Sequence, residues 1–150
     1  MQISIGCDHA ALEAKTEVIT YLKAQGHAIT DVGTHDDQSC DFPDYAAAVS
    51  RHIQGGSSDR GILICGTGIG MSMAANRFTG VRAALCYTEQ LAELSRLHND
   101  ANVLCLGART QSIESMIMII SKWLNTSWEG GRHGQRLQKI EKNARGQDVA

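Results

Sequence analysis

One cysteine and three glycines form the segment of the sequence whose residue types are best suited to chemistry. Cys65 follows the apolar run 61–64 and precedes a glycine loop, residues 66–70 with the sequence GTGIG, which opens a stretch of helical period. Glycines at this spacing let the chain turn tightly and point successive N–H groups inward. With a helix N-terminus behind them, these groups favour a phosphate, a carboxylate or a reaction oxyanion, and they stabilise a thiolate at Cys65. A tight turn beside a buried core cysteine is the alternative interpretation.

The glycine loop lacks residues that three well-known phosphate-binding motifs require. A dinucleotide-binding fingerprint reads GxGxxG after the first strand, whereas this loop reads GxGxG and follows the third predicted strand. A Walker loop ends in lysine followed by serine or threonine, and residues 70–72 read GMS. A cysteine phosphatase needs an arginine six positions after its cysteine, where this chain has Met71. We therefore expect the loop to hold an oxyanion without transferring a phosphoryl group.

Other polar residues offer acid–base chemistry or phosphate binding, each with a structural alternative. Asp8 and His9 end the first predicted strand as a possible acid–base pair or phosphate donor, and Asp8 also suits the cap of the next helix. His98 ends a predicted helix, where it would also complement the helix dipole. Arg132 and Arg136 are four residues apart and share one face of a helical turn, either as a phosphate clamp or as part of a solvated basic helix.

Composition and charge exclude several classes of protein. The chain has 150 residues, of which 43% are hydrophobic and 20% charged, a balance that favours a single globular domain over disorder. Lys and Arg total 14 against 16 Asp and Glu, which gives no basic footprint for nucleic acid.

Targeting signals and metal-binding patterns are also missing from the sequence. The first residues lack the basic patch and apolar run of a signal peptide, and no apolar run is long enough to span a membrane. The five cysteines form no CxxC pair, and no His, Cys or carboxylate cluster has metal-site spacing. We therefore expect a reduced, cytoplasmic protein that binds no metal.

Short apolar runs alternate with stretches of helical period, and this alternation predicts the elements that hold these residues. Strands are expected at 3–7, 28–32, 61–65, 81–86 and 102–106. Helices are expected at 10–25, 43–54, 69–76, 88–98, 112–125 and 137–144, the last within a helical segment that begins at about 132.

This order of elements predicts an α/β protein with a three-layer αβα, Rossmann-like fold over 1–150. Its doubly wound parallel sheet has about five strands, with helices on both faces. Ligands of such sheets bind beyond the carboxyl ends of the strands. We therefore expect the site among residues 7–9, residues 65–70 and the turn after Cys86.

Taken together, the motifs resemble the sugar-phosphate isomerase family that includes the type B ribose-5-phosphate isomerases. The matching stretches follow one another along nearly the whole chain: GCDHA at 6–10, DFPDYA at 41–46, GILICGTGIGMSMAANR at 61–77, GVRAALC at 80–86, LSRLHNDANVLCLGAR at 94–109 and WEGGRHGQRL at 128–137. One branch of this family uses a glutamate in the glycine loop as its base. Here that position is Met71 and Cys65 is present, so the chain resembles the cysteine branch. Ala11 departs from the glycine often found there in the family.

The resemblance implies a role for each candidate residue at the reacting end of the sugar. Cys65 would move a proton between C2 and C1, and His98 would help to open the furanose ring. Asp8 and Asn99 would contact the sugar, and Tyr45 would line the pocket. The developing enediolate would be held by the glycine loop, namely Gly66, Thr67, Gly68, Ile69 and Gly70.

The resemblance also implies how the phosphate is bound and how the site is assembled. His9, Arg132 and Arg136 would bind the phosphate, together with Arg109. The family builds its site between two subunits, so we expect a homodimer or a dimer of dimers in which a neighbouring chain supplies some of these residues. No metal or organic cofactor is expected.

The expected function is that of an aldose–ketose isomerase which interconverts D-ribose 5-phosphate and D-ribulose 5-phosphate through an enediolate. Within the family, the alternative is a six-carbon enzyme acting on allose or galactose 6-phosphate. A second alternative is a non-catalytic protein that binds a phosphosugar or a nucleotide.

Overall fold

Five parallel strands form one sheet in the computed structural model, which describes residues 1–144. The strands are β1 (Gln2–Cys7), β2 (Ala28–Asp31), β3 (Arg60–Cys65), β4 (Ala83–Leu85) and β5 (Val103–Gly107). Their order across the sheet is β2-β1-β3-β5-β4, so the direction of winding reverses between β1 and β3. This is the doubly wound sheet that the sequence predicts. The last six residues of the predicted domain, 145–150, lie outside the described residues.

Helices cover both faces of this sheet, which confirms the three-layer prediction. They are α1 (Leu12–Ala24), α2 (Phe42–Gln54), α3 (Ile69–Ala75), α4 (Glu89–Leu97), α5 (Ile113–Leu124) and α6 (Arg132–Ala144). One buried cluster joins the sheet to α1, α4 and α5 and includes the fully buried Trp123. The other joins the opposite face to α2 and α3 and includes Cys65 and Met71.

Side-chain caps explain where several helices begin. The Thr88 hydroxyl accepts a hydrogen bond from the Leu91 N–H, and Ser112 caps α5 in the same way. Asp8 caps a short 3-10 turn, His9–Ala11, and for this reason α1 begins at Leu12, two residues later than predicted.

Two predicted boundaries need correction. The fourth strand was expected at 81–86, but β4 is shorter because the N–H groups at its start turn away from the sheet: Val81 donates to the Phe78 carbonyl and Arg82 to the Asn102 side chain. The regular part of the last helix begins at Arg132 and not at 137. No helix within residues 1–144 is long and apolar enough to cross a bilayer.

Candidate active site

Cys65 is the last residue of β3 and lies at the carboxyl edge of the sheet, directly beneath the glycine loop. The Gly68 N–H donates a hydrogen bond to its Sγ at 3.1 Å, which stabilises negative charge on the sulfur. Gly68 has a φ of +77°, and a Cβ there would lie 2.9 Å from the Leu106 carbonyl oxygen. Only glycine therefore fits where the loop bends over the sulfur. Cys65 is 5% exposed.

The glycine loop presents main-chain donors that the protein leaves free. Within residues 1–144, the N–H groups of Gly66, Thr67 and Gly70 have no acceptor in the main chain or in a side chain. The Ile69 N–H contacts the Thr67 hydroxyl at 3.3 Å. An oxyanion above Cys65 can therefore accept hydrogen bonds from preorganised amides, as the sequence predicts.

Neighbouring residues fix the shape of the loop. The Tyr87 hydroxyl donates to the Thr67 carbonyl at 2.7 Å, and the Arg109 N–H donates to the Gly66 carbonyl at 2.9 Å. Gly107 lets β5 approach closely, since a Cβ there would lie 2.8 Å from the Thr67 carbonyl oxygen. The Arg109 side chain packs over Gly66, so its positive charge stands beside the loop.

Asp8 and His9 follow β1, the strand next to β3, and therefore lie at the same edge. Asp8 is nearly buried, and its Oδ1 accepts the Ala10 N–H at 3.0 Å, which confirms the predicted cap. The His9 Nδ1 accepts the Cys40 N–H at 3.3 Å. That contact occupies Nδ1 and leaves Nε2 as the ring nitrogen that can meet a ligand.

Tyr45 lies in the first turn of α2, at the same edge. Its neighbour Cys40 raises the pKa of the Tyr45 hydroxyl, and a hydrogen bond with Thr34 opposes that effect. The Thr34 carbonyl in turn accepts from Lys15 Nζ, a buried ammonium that also binds both carboxylate oxygens of Asp31. Lys15 thus braces the segment that carries Cys40.

Three other cysteines differ from Cys65 in their surroundings. Burial raises the pKa of Cys7 and of Cys86 to about 11 each, and it raises the pKa of Cys105 further still. These thiols are therefore neutral at ordinary pH. Cys65 differs from them because a loop of free N–H groups covers it.

The remaining predicted residues lie elsewhere, around the end of α4. His98 caps the C-terminus of α4, and Asn99 lines a cavity of about 200 Å³ beside Arg82 and Leu137. The next residue, Asp100, has a φ of 44°, and its carboxylate contacts Arg82 and Arg96 at 2.8 Å each. This double ion pair holds the turn that presents His98 and Asn99.

Arg132 and Arg136 both lie on exposed positions of α6, one helical turn apart. His133 between them is buried and stacks on the His98 ring, so the start of α6 adjoins the end of α4. A cavity of about 430 Å³ lies beneath α6, lined in part by Asp100 and Trp128. Cys65 is not part of this cavity.

The fold thus divides the predicted residues between two edges of the sheet. Helices in a doubly wound fold run back against the strands, so α4 ends at the amino edge, where β5 begins. Strand β5 has five residues and separates the two edges by about 17 Å. The carboxyl edge holds Asp8, His9, Tyr45, Cys65, residues 66–70 and Arg109. The amino edge holds His98, Asn99, Arg132 and Arg136. The structure does not bring the two groups together within one chain.

A model of the family described as Ribose/Galactose Isomerase matches residues 3–140. The chain belongs to this family.

Curated relatives and solved structures of ribose/galactose isomerases match nearly the whole chain. The chain is 45% identical to "Ribose-5-phosphate isomerase B" of Escherichia coli over 93% of each chain. It is 49% identical to a "Putative sugar phosphate isomerase" of Rickettsia bellii, covering 93% of this chain and 96% of the relative. The solved ribose-5-phosphate isomerase B of Clostridium thermocellum superposes with a TM-score of 0.96 at 42% identity, covering 97% of this chain and 99% of that one.

Some residues that contact the predicted site come from distant parts of the chain, and no local sequence pattern indicates them. Tyr87 lies in the predicted turn after Cys86, but only its contact with Thr67 shows what it does. Glu129 and His133 lie beside His98, and the ligand atoms of these three residues lie within 4.8 Å of one another. Sequence spacing does not reveal this group. The two rings are nearly parallel, so their in-plane lone pairs do not converge on one point as a metal requires.

Proposed function

We propose that the chain is an aldose–ketose isomerase that interconverts D-ribose 5-phosphate and D-ribulose 5-phosphate through an enediolate. The observation that carries this proposal is the placement of the Cys65 sulfur beneath the free N–H groups of the glycine loop. A proton next to a carbonyl is weakly acidic, so an isomerase must place a base over that carbon and stabilise the negative oxygen that forms. Both requirements are met at one strand end.

The proton transfer starts from the open aldose. The Cys65 thiolate takes the C2 proton, and the electrons of that C–H bond move to form the enediolate. The N–H groups of Gly66, Thr67 and Gly70 hold the negative oxygen, and donors of this kind contribute several kcal/mol, about 2.7–4 for one donor. The hydroxyl proton of the enediolate moves from O2 to O1, and the same sulfur returns the carbon-bound proton to C1, which leaves the carbonyl at C2 and produces the ketose. The chemistry is redox-neutral, and we propose that it needs no metal or organic cofactor.

The phosphate and the ring-opening step need groups from both edges of the sheet. Asp8 and His9 stand beside Cys65, but His98, Asn99, Arg132 and Arg136 lie at the far edge of the same chain. We therefore propose that the chain works as a homodimer, or a dimer of dimers, in which a second copy places its amino edge against this carboxyl edge. Exposed apolar side chains at both places suit such a contact: Ile69, Met73 and Ile140 are 44%, 65% and 55% exposed.

Two further expectations belong to this proposal. One is that residues 1–150 act as a single domain. The other is a cytoplasmic location, where thiols stay reduced and Cys65 remains available as a base.

A six-carbon sugar phosphate is the alternative substrate within the family, and a non-catalytic phosphosugar-binding protein is the alternative outside it. Exchange of substrate hydrogen with solvent separates an isomerase from a binding protein, and a comparison of kcat/KM between sugars separates the two substrates. In deuterated water, an isomerase exchanges the transferred hydrogen of its substrate, and NMR follows the loss of that signal. We expect the highest kcat/KM with ribose 5-phosphate in a panel that includes allose and galactose 6-phosphates. Tight binding without exchange would refute catalysis.

A further inference from the structure

Two side chains that the proposed function does not use lie directly against His98. The His133 ring stacks on the His98 ring, with centroids 4.4 Å apart and planes 9° from parallel. The Glu129 Oε1 lies 2.8 Å from His133 Nε2 and 3.9 Å from His98 Nε2. The His98 side chain is 39% exposed, so the part of it that faces away from His133 remains accessible.

Hydrogen bonds to main-chain carbonyls hold Glu129 and His133 in place beside His98. The Glu129 N–H donates to the Leu97 carbonyl at 3.3 Å, immediately before His98. Next to it, the buried Arg96 guanidinium donates to the Thr126 carbonyl. The segment before α6 is therefore bound to the last turn of α4, the element that carries His98.

The contact of Glu129 with His133 is a close approach and not a directed hydrogen bond. The carboxylate oxygen lies close to His133 Nε2 but out of line with the ring N–H, and that nitrogen has no aligned acceptor within residues 1–144. The same carboxylate oxygen also lies 3.9 Å from His98 Nε2. One side chain thus fixes the plane of the His98 ring and the other faces its Nε2.

We propose that Glu129 and His133 are positioning residues for His98, and that they act on ring opening and not on proton transfer between C1 and C2. The proposal rests on the proposed function, in which His98 opens the furanose. Stacking on His133 sets the plane of the His98 ring. Attraction to the Glu129 carboxylate sets the direction in which His98 Nε2 points. The exposed part of His98 is then oriented toward the ring oxygen of a sugar bound to a second copy.

The two sugars of the proposed reaction separate these steps. Ribose 5-phosphate exists mainly as a closed furanose and must be opened. Ribulose 5-phosphate has its carbonyl at C2 and a phosphate ester on O5, so it cannot close a five-membered ring. Removal of its C1 hydrogen therefore needs Cys65 and the glycine loop but no ring opening.

The test measures both reactions on the same preparation of each variant. We expect Glu129→Gln to lower kcat with ribose 5-phosphate by roughly 10- to 100-fold, the size of effect that a misplaced catalytic group produces. Exchange of the C1 hydrogen of ribulose 5-phosphate with deuterated water should change by less than about threefold. That second measurement also shows that the variant is folded and its proton-transfer site intact.

Further variants separate stacking from charge. His133→Phe keeps an aromatic face and should retain most of the rate with ribose 5-phosphate, whereas His133→Ala should lose as much as Glu129→Gln. The matched control is Glu93→Gln, because Glu93 is 43% exposed against 46% for Glu129 and, within residues 1–144, pairs only with Lys122 at 3.9 Å. It should leave both rates unchanged.

Two results would overturn the proposal: an equal loss in both reactions of Glu129→Gln, or no loss in either. If the unmodified chain exchanges no hydrogen with either sugar, the proposed function itself is wrong and this proposal is wrong with it. The wild-type measurement therefore tells the two failures apart.

Discussion

The main chain holds the candidate groups at the carboxyl edge of the sheet, whereas side chains from distant segments hold those at the amino edge. Cys65 and its donors lie within six consecutive residues, so the strand-to-helix turn sets their geometry, and Tyr87 and Arg109 brace the loop from outside. His98 stacks on His133 and lies 3.9 Å from Glu129, while Asp100 holds the turn after it through ion pairs with Arg82 and Arg96. In the proposed function, the carboxyl edge performs proton transfer and the amino edge opens and binds the substrate.

The strongest test of this division removes the sulfur. Cys65→Ala should lower kcat/KM with ribose 5-phosphate by at least about 10³-fold, because no other described base lies beneath the glycine loop. Steady-state kinetics measures the loss. Cys86→Ala, which removes another buried thiol at the same edge, should stay near wild type. Normal turnover by Cys65→Ala would refute the assignment of the base.

A mixed assembly tests whether the two edges work together across a subunit contact. Cys65→Ala and His98→Asn should each be nearly inactive alone. When the two chains assemble at random, half of the dimers contain one of each, and one site in each mixed dimer carries neither substitution. Activity should then recover to about a quarter of wild type, as a two-fold symmetric contact requires. No recovery would show that both groups act within one chain.

Ion pairs stabilise both edges of the sheet, and breaking them should lower the free energy of unfolding by different amounts. Asp31→Ala leaves the Lys15 ammonium, 2% exposed, without its carboxylate, so the free energy of unfolding should fall by about 3–5 kcal/mol. Asp100→Asn suits the left-handed backbone at that position and removes only the charge, so the loss should be about 1.5–3 kcal/mol. Urea denaturation measures both. The exposed pair of Glu93 and Lys122 is the control, since Glu93→Gln should cost less than about 1 kcal/mol.

The buried thiols predict a pH dependence of stability that is separate from catalysis. The pKa of Cys7 and that of Cys86 are raised from 9.0 to about 11 in the folded protein because burial disfavours the thiolate. Their contribution to stability is therefore complete below pH 9 and is lost as the pH rises toward 11.

The urea midpoint should fall across this alkaline range, and it should fall less steeply in Cys7→Ala than in wild type. Measurements at several pH values with both proteins test the expectation. Identical slopes would show that Cys7 does not contribute.

The smallest expected effect comes from removing the hydrogen bond between Tyr87 and the glycine loop. Tyr87→Phe removes the hydrogen bond to the Thr67 carbonyl and lets the loop relax, which should lower kcat by about threefold to tenfold with little change in stability, in line with a net hydrogen-bond value of about 1 kcal/mol. The comparable Tyr21→Phe on α1 should have no effect. An unchanged kcat would show that Gly107 and Arg109 suffice to hold the loop.

The contrast between the edges also explains what the sequence could predict. Alternating apolar runs give the strands and helices, and local spacing gives Cys65, its loop, the Asp8 cap and the helix end at His98. The contacts of Tyr87 with Thr67 and of Glu129 with His98 depend on how distant segments pack, so no local pattern contains them. The start of β4 was mispredicted because the Arg82 N–H bonds the Asn102 side chain, whereas the helical segment expected from about 132 begins at Arg132.

Because neither edge of one chain holds a full complement of groups, turnover in the proposed assembly depends on how much protein is present. Dilution below the dissociation constant of the dimer would leave every chain folded yet idle, so specific activity would rise with concentration until all chains are paired. A copy that lacks the groups of only one edge would silence one of the two sites in the dimer it joins, and a copy that lacks those of both edges would silence both.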